Sequence, residues 1–154
     1  MGEPEKPNDF GARFEAAFAR LQVTILEACG AQGEWPRKIA AGIQAGLEFA
    51  AADPAAARVL VTEALMHGRD GVARHERLVA YLGERLLPGR ELSPDGKRLP
   101  GITERAMAGG VVALVAQRLD LGREDELPAL SPEAIQFVLT PYIGAEEARR
   151  IGTD

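Results

Sequence analysis

The sequence predicts an all-α fold, an antiparallel helical bundle of about six helices, from three observations. Strong helix formers dominate it: alanine, leucine, arginine and glutamate are abundant, while asparagine occurs once (Asn8) and serine twice (Ser93, Ser131). Apolar residues recur at helical spacing, and β-branched residues never alternate with polar ones over a strand's length. Glycine and proline cluster between the periodic segments, where they mark turns. With 154 residues, 46% hydrophobic and 27% charged, the chain suits one core. Residues 10–154 are expected to form that domain, behind a charged, proline-interrupted segment, residues 1–9, expected to be flexible.

Asp9 is placed to cap a first helix over residues 10–29, in which Phe10, Phe14, Ala17, Phe18, Leu21, Ile25 and Ala28 share a face. Gly30 and Gly33 stop it. A second helix over residues 34–52 carries a core stripe of Trp35, Ile39, Ile43, Leu47 and Ala50. Its small residues Ala40, Ala41, Gly42, Ala45 and Gly46 form a second face that permits close packing. Asp53 and Pro54 cap and start a third helix to His67, burying Ala57, Leu60, Val61, Ala64 and Leu65. Residues 68–71 read as a turn. Residues 72–87 read as a fourth helix, with Val72, His75, Leu78, Val79, Leu82 and Leu86 facing inward and Pro88 closing it. The stretch GRELSPDGKRLP, residues 89–100, combines breakers with five charges and reads as a surface loop.

Thr103 as cap and Glu104 in the first turn then start a helix that is apolar nearly all round, which requires burial between protein surfaces. Gly109 and Gly110 each cost roughly 1 kcal/mol there relative to alanine, a cost that close approach of another helix would offset. Ser131 as N-cap and Pro132 start a further helix through Ile135, Phe137, Val138 and Leu139, which Pro141 ends; a short polar helix over residues 145–150 closes the chain. Two consecutive apolar helices read as half of a four-helix interface completed by a second copy. The expected homodimer contacts lie in residues 103–119, between Thr103 and Leu119, and in residues 131–140, between Ser131 and Thr140. Met107, Gly110, Val111, Leu114, Arg118, Ile135, Phe137 and Val138 are the named contacts.

A formal charge of −5, with 18 basic residues scattered among 23 acidic ones, argues against a nucleic-acid surface on this chain. No segment has the length or hydrophobicity to span a membrane, and the N-terminus lacks a secretory pattern, so a cytoplasmic protein is expected. Cys29, the single cysteine, excludes an intrachain disulfide and has no nominated base. Glu63 and His67 share a helical face with His75 beyond the turn, but the inward carboxylate and histidine sets of bundle metal sites are missing. The sequence thus nominates no catalytic residue, metal or cofactor. Trp35, Phe49, Leu65, Met66, His67, Tyr81 and Met107 are instead expected to line a mainly apolar cavity between the first five helices, suited to a small ligand.

Several of these segments resemble TetR/AcrR-type transcriptional regulators. The resemblance rests on W-P-x-x-I-x-A-G-I-x-A-x-L-x-F from Trp35 to Phe49, D-P-A-x-A-R from Asp53 to Arg58, and T-E-x-x-x-x-G-G from Thr103 to Gly110. The tail adds E-L-P-x-L-x-P-E from Glu126 to Glu133 and L-x-P-Y-I-G-x-E-E-A from Leu139 to Ala148. It covers about residues 10–151 and implies an effector-binding and dimerisation domain, with residues 10–29 as the helix connecting to a DNA-binding head. That family's helix-turn-helix head would precede Phe10 and has no counterpart in MGEPEKPND. Two other functions stand beside it: a headless partner that pairs with an intact regulator, and a small metal-dependent helical enzyme using Glu63, His67 and His75.

Overall fold

Asp9 starts the first helix by accepting the Gly11 amide on its carboxylate at 3.0 Å, and α1 runs Phe10–Gly30. The computed structural model describes residues 9–154; the expectation for residues 1–9 therefore lies outside the described residues except at Asp9. Seven α-helices and five short 3-10 turns follow one another, and no strand occurs among the described residues. The phenylalanine face of α1 is buried as its spacing predicts, from Phe10 to Ile25. A short turn returns the chain as α2, Trp35–Ala52, which packs along α1.

Asp53 then caps α3, Pro54–Val61, by accepting the Ala56 amide at 3.1 Å. This helix is shorter than its apolar pattern suggests. A 3-10 turn, Glu63–Met66, replaces its last turn and swings Leu65 outward, where it is 52% exposed. The cause is tertiary: α4, Gly68–Glu84, starts earlier than predicted and crosses so close that a side chain on Gly71 would collide with the Ala64 carbonyl. Gly68, at φ 62, makes the reversal that a residue with a Cβ resists. Val72 consequently faces solvent, while Leu78 and Val79 are buried.

Residues 89–100 remain a connection, but two 3-10 turns, Leu87–Glu91 and Gly96–Arg98, shape it. Next come α5, Thr103–Asp120; α6, Ser131–Ile143; and α7, Ala145–Gly152. Three local expectations need correction here. Thr103 does not cap: its hydroxyl donates to the Pro100 carbonyl at 2.7 Å. Ser131 is a buried first residue of α6 rather than its N-cap, and its hydroxyl has no partner among the described residues. Pro141 lies inside α6 instead of ending it. Tyr142, buried beyond Pro141, draws another turn onto the core.

Two apolar clusters result. The larger joins α1, α2, α3, α4 and the far half of α5; the smaller joins Ile39, Leu86 and Met107 to α6 and α7. Ile43 of α2 packs against both. The terminal helix, polar in sequence, thus contributes buried Ala148 and Ile151 to a core.

Candidate functional site

Between the two layers lies an apolar cavity of about 140 Å³. Leu21, Ile25 and Cys29 of α1 form one wall, and Ile39, Gly42, Ile43, Gly46 and Phe49 of α2 form a second. Leu60 of α3, Leu78 and Leu82 of α4, Val111 and Val115 of α5 and Val138 of α6 complete it. Arg85 is the one charged residue among the lining groups.

The small-residue face of α2 explains where the space comes from. At Gly42 a Cβ would lie 3.2 Å from the Cys29 sulfur, so this glycine serves close packing on α1. At Gly46 a Cβ would meet nothing within 4 Å, so this glycine opens the cavity.

A second hollow, of about 460 Å³, lies outside this one and shares Val61 and Val112 with it. It is larger but shallower: its rim includes Leu65 and Leu121, 52% and 57% exposed, with His75, Gln117 and Asp120 among its polar groups. Burial pushes the His75 imidazole below its ordinary pKa. The first, half-open cavity is the better candidate, because its lining is almost wholly apolar, and a concave apolar wall with few polar groups is what holds a small ligand.

Of the residues predicted to line a pocket, the structure brings only Phe49 to the first cavity. Leu65 lines the outer groove, and Met66 is 78% exposed. His67 stacks on Phe10 at 4.2 Å and faces Glu63 at 3.3 Å, fastening the start of α1. Met107 is buried in the smaller cluster. Trp35 and Tyr81 stand behind the wall. The Trp35 indole donates to the Arg85 carbonyl at 3.0 Å, and the Arg85 guanidinium lies 4.4 Å from the Tyr81 ring centroid.

Cys29 is half-buried at the cavity. Its thiol donates to the Lys38 carbonyl at 3.2 Å, and burial raises its pKa despite the opposing pull of Lys38 and Arg85. A neutral thiol is a poor nucleophile. Glu63, His67 and His75 form no metal-holding set: no group of three or more such ligands occurs among the described residues.

The predicted interface residues divide. Met107, Ile135 and Val138 are buried within this subunit, and Val111 faces the cavity, because α5 and α6 must first cover their own core. Gly110 and Phe137 lie on the outer face. There a Cβ on Gly110 would sit 4.0 Å from the Phe137 ring, which is itself 55% exposed. Leu114 and Arg118 are partly exposed along the same helix. No helix among the described residues is long and apolar enough to cross a membrane.

The chain matches no protein-family model, no curated protein and no solved structure.

Proposed function

We propose that this chain is the effector-binding and dimerisation domain of a TetR-like transcriptional regulator. The apolar cavity lined by α1 to α6, walled on one side by α1, carries this reading. A concave, almost wholly apolar surface suits a small ligand, and contact with Leu21, Ile25 and Cys29 gives such a ligand leverage on α1. Ion pairs tie the same helix to its neighbours: Arg13 to Glu63 at 2.5 Å, Arg20 to Asp53 at 2.8 Å, and Glu15 to Arg74 and Arg77. In an intact regulator, ligand would favour one setting of α1 by its differential affinity for the two settings, and so alter DNA binding by a head attached before it.

Dimerisation follows from the outer face of α5 and α6, where Gly110, Ala113 and Phe137 leave apolar surface uncovered. Nothing in this reading asks the chain to bind nucleic acid or to catalyse a reaction. The test is sedimentation equilibrium of the chain and of Gly110→Leu. A leucine at Gly110 projects over the subunit's own surface rather than into its core, so it blocks a partner without unfolding the chain. A wild-type dimer converted to a folded monomer is expected; a wild-type monomer would overturn the dimerisation half of the reading.

A further inference from the structure

The cavity wall is apolar except for one cation, Arg85, which is exposed at its solvent edge. Arg85 caps the C-terminal end of α4, where the helix dipole favours positive charge. Its carbonyl is fastened by the Trp35 indole at 3.0 Å. Its guanidinium lies over the Tyr81 ring, and Tyr81 in turn meets Phe18 edge-to-face at 5.5 Å. Among the described residues the guanidinium makes no ion pair, whereas most other arginines of the bundle pair with a carboxylate, as Arg13, Arg20, Arg74 and Arg77 do. No aspartate or glutamate lines the cavity.

We propose that the ligand of this cavity is a small hydrophobic carboxylate, its apolar body between α1, α2 and α5 and its carboxylate at Arg85. The proposal rests on the effector-domain reading and specifies its ligand. The geometry suits that class for a stated reason. The guanidinium fork matches a carboxylate bidentately, and Arg85 stands exposed at the solvent edge of a pocket whose other polar side chain is a thiol already donating to the Lys38 carbonyl. A neutral ligand would leave the cation unused, and an amine would face it as a like charge. A volume of about 140 Å³ restricts the body to a single ring or a short chain.

The experiment is calorimetric titration of the full chain with hexanoate, benzoate, 1-hexanol and hexylamine, repeated on Arg85→Gln and on Gly46→Leu. The expected result is binding of hexanoate or benzoate at least tenfold tighter than 1-hexanol, with hexylamine weakest. Arg85→Gln should bring carboxylate and alcohol within about threefold, with an unchanged far-UV circular dichroism spectrum showing that the variant is folded. Gly46→Leu fills the cavity without touching Arg85 and should abolish binding of all four. Equal binding of carboxylate and alcohol, or a carboxylate preference that survives Arg85→Gln, would overturn the proposal while leaving an apolar ligand cavity in place; binding that survives Gly46→Leu would overturn the cavity as the site as well. Binding of none of the four would overturn both this proposal and the ligand-cavity reading beneath it.

Discussion

Glu104 looks in the sequence like a first-turn carboxylate serving the helix dipole, and its surroundings turn it into a buried anchor. It accepts from the Arg90 guanidinium at 2.8 Å and from the Tyr142 hydroxyl at 2.6 Å, while Arg90 also binds the carbonyls of Gly96, Leu99 and Pro100. Burial pushes the Glu104 carboxyl up, but the hydrogen bonds from Arg90 and Tyr142 together hold it below the ordinary 4.5. Burial, and then Glu104, raise the Tyr142 hydroxyl, so it stays a donor. A folded value below the unfolded one means that this stabilisation is present above about pH 4.5 and is lost as pH falls through the folded value. Glu104→Gln should therefore cost about 3 kcal/mol at pH 7 by leaving Arg90 unpaired, with a smaller difference at pH 3.5, read from urea midpoints at each pH. Gly89 is equally constrained, since a Cβ there would lie 2.7 Å from the Tyr142 ring. Gly89→Ala should lower stability by about 1–3 kcal/mol, measured by thermal melting.

At the scale of elements, α2 carries two glycines of opposite meaning that the sequence presents alike. Gly46→Ala adds a methyl where no atom lies within 4 Å, so it should stabilise the protein by about 1 kcal/mol through helix propensity, seen as a higher Tm. Gly42→Ala presses on the Cys29 sulfur at 3.2 Å and should gain less or lose stability. The helix after Asp53 teaches a related lesson. Its apolar spacing is continuous to Leu65, yet the close crossing of α4 at Gly71 replaces the last turn with a 3-10 turn, because only a glycine admits that approach to the Ala64 carbonyl.

Across the whole molecule, the larger and smaller clusters meet through Ile43, so they should unfold together. Leu127 and Leu139 are fully buried, one in each cluster. Leu127→Ala and Leu139→Ala should each cost about 2–5 kcal/mol while keeping one transition, with far-UV circular dichroism and Trp35 fluorescence coinciding in urea. Separate transitions for the two probes would show that the α6–α7 layer is an independent unit.

Local chemistry was readable without coordinates. Asp9 and Asp53 cap their helices, the Phe10 to Ile25 face is buried, and the seven helices stand close to the predicted segments, because each of these depends on residues within about a turn of one another. The site was much less readable. Phe49 was nominated and reaches the cavity; Trp35 and Tyr81 were nominated and instead hold Arg85, a residue whose only sequence signal was its place at a helix end. The Glu104–Tyr142 contact joins residues far apart in the chain, and the cavity beside Gly46 is walled by five helices besides its own. Sequence alone determined the all-helical class, the starts of the two helices capped by Asp9 and Asp53, and the buried face of α1. Crossing distance and the filling of space between helices decided the cavity, its cation and the buried carboxylate, since neither quantity is a property of any one segment.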